Sequence, residues 1–118
     1  EKRPLMAEIA ARLCDLALIT SDNPRTEDPM VIIDHIIAGA QKARRRRYQT
    51  ADLSNGYKEK GYVVEADRKQ AIRLGIEASK PGDTVLIAGK GHETYQIIGT
   101  TTKAFDDREE AKKALDQL

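Results

Sequence analysis

The chain has 118 residues, 40% of them hydrophobic and 33% charged, with a formal net charge of +1; that length fits one domain. Mixed charges create no global field for nucleic acid or an anionic membrane, and no stretch approaches the roughly 20 apolar residues that cross a bilayer. Four Tyr, one Phe and no Trp leave an aliphatic core, and the single Cys14 excludes an internal disulfide and gives no indication of secretion.

Glu1-Lys2-Arg3-Pro4 runs straight into a helical pattern with no initiator methionine, and is expected to open a piece of a longer protein. Pro4 suits a first helical turn, and Leu5, Met6, Ile9, Ala10 and Leu13 follow at helical spacing. Cys14, in the same apolar pattern, is expected to be buried and inert. Leu16 to Thr20 is too short for a helix and is followed by Ser21-Asp22-Asn23-Pro24, which predicts a buried strand feeding a loop. Asp28 as N-cap and Pro29 in the first turn begin a second helix with Ile33, Ile36, Ile37 and Ala40 on its apolar face.

From Lys42 to Gly61 the periodicity fails, and a long basic and polar loop is expected. Tyr62-Val63-Val64 predicts a short strand. Asp67 and Gln70 form a capping-box pattern ahead of a helix with Ile72, Gly75 and Ile76 inward. Lys80-Pro81-Gly82-Asp83 stops that helix, and Thr84 to Ala88 is the most strand-like run in the chain. Tyr95 to Ile98 and Thr101 to Ala104 predict a hairpin turning at Gly99-Thr100. Asp107 with Glu110 predicts a last helix carrying Ala111, Ala114, Leu115 and Leu118 inward.

This alternation predicts an α/β fold: a Rossmann-like open sheet of mostly parallel strands, helices on both faces, and a C-terminal hairpin. Ligands of such sheets bind beyond the carboxyl ends of the strands. Two loops are expected there, residues 21–28 and residues 89–94, and both carry unusual chemistry.

In the first loop, Asp22-Asn23-Pro24-Arg25 offers a carboxylate, a carboxamide and a guanidinium. A guanidinium grips a carboxylate or phosphate in bidentate fashion, and a neighbouring Asn can donate to the same group. The same residues also make an ordinary surface turn. In the second loop, Gly89-Lys90-Gly91-His92-Glu93 is no P-loop, because Gly91 follows Lys90 where Ser or Thr is required. Nor is it a zincin helix, since Gln96 stands where a second His is needed. The glycine spacing does not fit a dinucleotide fingerprint, and a strand rather than a helix follows. What remains is a glycine turn that admits a ligand close to the backbone, with Glu93 as an anionic group beyond it.

Ile19 to Arg25 with Glu27-Asp28-Pro29, together with Ala88 to Gln96, resembles the Mur ligase family, in particular its members that add meso-diaminopimelate as the third residue of the stem peptide. Lys2 to Ala7, Glu65 to Ile72 and Phe105 to Glu109 resemble the family too, so the likeness spans most of the chain except residues 42–61. The resemblance implies that Asn23 and Arg25 bind the distal carboxylate of meso-diaminopimelate. It also implies that the Gly89 backbone and Glu93 hold the distal amino group, with Asp22, Pro24, Lys90, Gly91 and His92 completing the two motifs. Relatives that add lysine lack the arginine, which agrees with the extra carboxylate that distinguishes diaminopimelate. For His92 it implies a structural hydrogen bond rather than catalysis.

The resemblance further implies that residues 1–118 are the C-terminal domain of an ATP-dependent, cytoplasmic bacterial enzyme, N-terminally truncated. The UDP-binding and ATP-binding domains would lie elsewhere, and so would the strand expected to precede the first helix. ATP and Mg2+ would act in the central domain, where the carboxylate of the UDP-N-acetylmuramoyl dipeptide is activated as an acyl phosphate for attack by the incoming amine. This chain by itself is expected to catalyse nothing, to contain no catalytic residue and no metal site, and to bind diaminopimelate weakly. Two other readings remain: a stand-alone Rossmann-like small-molecule or nucleotide-binding module, and nucleic-acid binding through Arg44 to Arg47. Against the second, no aromatic stacking platform accompanies those arginines, and a solvated loop without nucleic acid or membrane insertion is expected.

Overall fold

A computed structural model describes residues 2–22, 27–90 and 93–118. Its elements are α1 (Lys2–Leu13), β1 (Leu16–Ile19), α2 (Pro29–Gln41), β2 (Arg46–Tyr48), a 3-10 helix (Thr50–Asn55), β3 (Gly61–Val64), α3 (Arg68–Ala78), β4 (Tyr95–Ile98), β5 (Thr101–Ala104) and α4 (Asp107–Asp116). The strands β1, β3 and β2 form a parallel sheet in that order, and β4 pairs with β5 as a separate antiparallel hairpin. The α/β class and the hairpin therefore follow the sequence expectation.

Alternation along the strands loads both sheet faces, as it must in a parallel sheet covered by helices on each side. Ala17, Ile19 and Tyr62 pack with Ala7, Ala11, Ile33, Ile37 and Ala40 of α1 and α2. On the opposite face, Tyr48, Leu53 and Val63 gather Leu16, Leu18 and Leu74. A third cluster joins α3 to α4 through Ile72, Ile76, Phe105 and Ala114, with Ile87 against it.

The caps follow the sequence with two adjustments. Asp28 accepts a hydrogen bond from the Met30 N–H at 2.9 Å, and Asp67 accepts from the Lys69 and Gln70 N–H groups. The backbone N–H of Asp67 donates to Glu65 Oε2 at 3.1 Å, so Glu65 rather than Gln70 supplies the reciprocal half of that cap. At α4 the N-cap is Asp106, one residue before the predicted Asp107. Gly99, with φ of 63°, sits in the left-handed region that the hairpin turn needs.

Several expectations are corrected. Residues 42–61 are not one loop, because they contain β2 and the 3-10 helix. Tyr48 anchors this stretch, buried and donating from its hydroxyl to the Glu59 carbonyl at 2.7 Å. Arg46 and Arg47 are exposed, a charged guard on an edge strand, and the Arg46 guanidinium lies 4.8 Å from the Tyr48 ring centre. Thr84 to Ala88 forms no strand, and Leu86 is 85% exposed. A groove of about 600 Å3, lined by Leu16 to Leu18 and by Val85, Leu86 and Ala88, separates this run from the free edge of β1. Without a neighbouring backbone to complete a ladder, strand propensity has nothing to act on.

The first helix is present, but its buried face is Ala7 and Ala11; Leu5, Met6, Ile9 and Leu13 are exposed. Cys14 is exposed too. Leu115 of α4 and Leu118 beyond its end are exposed, while Ala114 is buried. Small residues win on α1 because it crosses α2 closely: a Cβ on Gly39 would lie 1.9 Å from the Pro4 carbonyl oxygen.

That contact makes a test with an inverted sign. Ala in place of Gly normally stabilises a helix interior by about 1 kcal/mol. Here Gly39→Ala should destabilise by roughly 2 kcal/mol, the cost of overpacking a close crossing. Urea unfolding midpoints report it, and a stabilised variant would contradict the α1–α2 geometry.

Candidate functional site

The sheet brings the first loop to its place. Ile19 and Val64 are paired at the carboxyl ends of β1 and β3, and the Glu65 N–H donates to the Ile19 carbonyl at 2.9 Å. Just beyond, the Ser21 hydroxyl donates to the Ala66 carbonyl at 3.0 Å and the Thr20 hydroxyl to the same oxygen at 3.3 Å. The chain leaving β1 is thus fastened to the chain entering α3. Asp22 emerges from that junction.

The stem of the second loop is held by an ion pair rather than by a sheet. Arg68, the first residue of α3, donates from Nε and a terminal nitrogen to the two Asp107 oxygens at 2.8 and 2.6 Å. The same guanidinium donates to the Ala88 carbonyl at 3.2 Å. Burial disfavours the Arg68 charge, but the hydrogen bonds and charge of Asp107, helped by the charge of Asp22, outweigh it and raise the pKa above its ordinary value. One buried arginine thereby joins the start of α3, the end of the 84–88 run and the start of α4.

Beyond Ala88 the backbone turns at Gly89, whose φ of 101° is costly for any residue with a Cβ. A Cβ there would meet nothing within 4 Å, so the dihedral and not the packing calls for glycine, and the space beside it is open. Lys90 turns inward, its side chain fully buried. Its ammonium donates to Asp22 Oδ1 at 2.8 Å and to the Tyr95 carbonyl, and lies 5.8 and 5.6 Å from the ring centres of Tyr95 and Phe105. From β4, the buried Gln96 donates through Nε2 to the Asp22 carbonyl at 2.9 Å. Half-buried Glu93 lies between these two anchors in the chain.

Of the residues the sequence singled out, Asp22, Gly89, Lys90 and Glu93 are described, and Asp22 is brought onto Lys90 across 68 positions of chain. Asn23, Pro24, Arg25, Gly91 and His92 lie outside the described residues. Sequence reasoning assigned no role to Arg68 or Gln96. Arg68 stood in the segment that resembled the family, directly after the Asp67 cap. For Gln96, the signal is the alternation of β4, where it takes the buried position beside exposed Tyr95. Among the described residues no group of three or more His, Cys, Asp or Glu could hold a metal ion, and no helix is long and apolar enough to cross a membrane.

Residues 1–91 match the family described as "Mur ligase, glutamate ligase domain". The chain is 50% identical over 117 residues to the UDP-N-acetylmuramoyl-L-alanyl-D-glutamate–2,6-diaminopimelate ligase of Geobacter metallireducens, covering 99% of this chain and 23% of that protein. It is 55% identical over 114 residues to the ligase of the same name from Synechococcus elongatus, covering 97% of this chain and 20% of the relative. A solved structure of a ligase of that name superposes with a TM-score of 0.72 at 36% identity, covering 98% of this chain and 21% of its own. The chain therefore spans about a fifth of the length of the curated relatives it matches.

The Arg68–Asp107 pair gives a test of how the second loop is supported. Arg68→Met leaves the Asp107 carboxylate partly buried without its partner, and should cost about 3 kcal/mol. The joint change Arg68→Met/Asp107→Leu should cost less than the two single changes summed. Denaturant titrations of the three variants measure this, and strict additivity would mean that the pair is not coupled.

Proposed function

We propose, from the premise that this chain belongs to the Mur ligase family and forms its glutamate ligase domain, that it is the amino-acid-recognising C-terminal domain of an ATP-dependent ligase. That ligase would join meso-diaminopimelate to UDP-N-acetylmuramoyl-L-alanyl-D-glutamate in peptidoglycan synthesis, in the bacterial cytoplasm. Residues 1–118 contribute the diaminopimelate half of the site, and the UDP- and ATP-binding domains of the ligase contribute the rest. The observation that carries this reading is the Lys90–Asp22 contact, which joins the two loops bearing the recognition residues.

Each proposed role follows from charge. The distal end of diaminopimelate carries a carboxylate and an ammonium on one carbon. Arg25 pairs with the carboxylate in fork geometry and Asn23 donates to it. Glu93 and the backbone of Gly89 accept from the ammonium. Lysine lacks that second carboxylate, so its side chain would leave the Arg25 guanidinium unpaired and face it with a like charge. Selection between the two amino acids is then electrostatic.

The chain's part in the reaction is orientation. Clamping the distal end leaves the other amino group of diaminopimelate free to reach the activated carboxylate of the dipeptide, and holding the two in line lowers the entropic barrier. ATP and Mg2+ would act in the central domain of the ligase; among the described residues of this chain no group of three or more His, Cys, Asp or Glu could hold a metal ion. The domain alone has no turnover and closes on its partner domains to complete the site.

Arg25→Ala in the full-length ligase tests the assignment. The kcat/KM for diaminopimelate should fall by about tenfold to a hundredfold, the worth of a charged hydrogen-bonding pair, and discrimination against lysine should narrow. Amide-forming turnover with each amino acid reads it out. Undiminished diaminopimelate addition would overturn the role of Arg25.

A further inference from the structure

Lys90 belongs to none of the hydrophobic clusters and is not part of the sheet, yet its charged side chain is fully buried. Withdrawing an ammonium from water costs several kcal/mol unless geometry and hydrogen bonds compensate. The compensation here is local and specific: the Asp22 carboxylate at 2.8 Å, the Tyr95 carbonyl, and the faces of Tyr95 and Phe105. With its ammonium spent on these partners, Lys90 does not present a cation to a ligand. Its effect is instead exerted on Asp22.

Asp22 is held at two points by the second loop and its strand. Lys90 takes its carboxylate, and Gln96 takes its backbone carbonyl at 2.9 Å. On the other side, Ser21 and Thr20 are tied to Ala66. Asp22 is therefore held in place by residues of β4 and the glycine turn. A loop held by its own turn chemistry would need none of these long-range ties.

We propose that Lys90 is a positioning residue for amino-acid selection: by fixing Asp22, it holds the chain leaving β1 against the turn that carries Gly89 and Glu93. Gln96 secures the same residue from its backbone side. This rests on the substrate reading given above. It adds that the two halves of the clamp have a shared alignment element which touches no substrate. Loosening it should weaken capture of diaminopimelate while leaving the nucleotide substrates unaffected.

The test uses the full-length ligase with Lys90→Met and Asp22→Asn, singly and together, beside Arg25→Ala as a reference. The expected result is a rise in the KM for diaminopimelate of about tenfold to a hundredfold in each single variant, the range that coupled neighbours span. The KM values for ATP and for the UDP-N-acetylmuramoyl dipeptide should stay within about twofold, and the double variant should be no worse than the poorer single one. A merely structural role would lower thermal stability and move all three KM values together, which overturns the proposal. Should Lys90→Met fail to fold, Asp22→Asn decides, since Asp22 is partly exposed and the change conserves its shape. An unchanged diaminopimelate KM in Asp22→Asn overturns the positioning role. If Arg25→Ala is also without effect, the substrate reading itself falls; if Arg25→Ala is impaired, only the role of Lys90 does.

Discussion

The central position of β3 is the constraint on which the remaining architecture depends. It is paired in parallel with β1 on one side and with β2 on the other, so its register fixes the carboxyl ends of both neighbours. Each of its faces must be covered, which recruits α1 and α2 on one side and α3 with the 3-10 helix on the other. Because the three strands of this sheet run parallel, the chain leaves β1 and β3 at one edge. The hydrogen bonds from Ser21 and Thr20 to Ala66 are a consequence of that shared edge.

The sheet does not position the second loop. Residues 84–88 have the composition of a strand without a strand's partners, and a groove lies between them and β1. Two buried cations do what a ladder would have done. Arg68 fastens the Ala88 carbonyl to Asp107, and Lys90 fastens the following turn to Asp22. Long, charged side chains reach across gaps that backbone hydrogen bonds cannot span, and once desolvated they tolerate few alternative arrangements. The electrostatic partners come from three regions distant in sequence, and they converge on the proposed diaminopimelate end of the site.

Local chemistry made much of this legible in the sequence. The Asp28 and Asp67 caps, the β4–β5 turn at Gly99 and the order of the helices α1 to α4 rest on short-range rules, which hold whatever the chain packs against. The face of a helix is another matter. On α1 the hydrophobic spacing pointed to Leu5, Met6, Ile9 and Leu13, but the close crossing at Gly39 selected Ala7 and Ala11 instead. Burial on a helix is decided by the partner's shape, and that information lies in another segment. β2 escaped notice for a similar reason. Its arginines read as loop, and only pairing with β3 and burial of Tyr48 make it a strand.

The sequence by itself determined the fold class, the family and the motif residues, from Asp22 to Arg25 and from Gly89 to Glu93. Hydrophobic period, caps and glycine turns are encoded within a few residues, and so are the charges proposed to read a second carboxylate. What only the tertiary structure decided is the meeting of the two motifs. Asp22 and Lys90 stand 68 positions apart, and nothing in either motif names the other as its partner. Their pairing emerges once the sheet edge places one loop, Arg68 the stem of the other, and burial turns the Lys90 ammonium onto the Asp22 carboxylate.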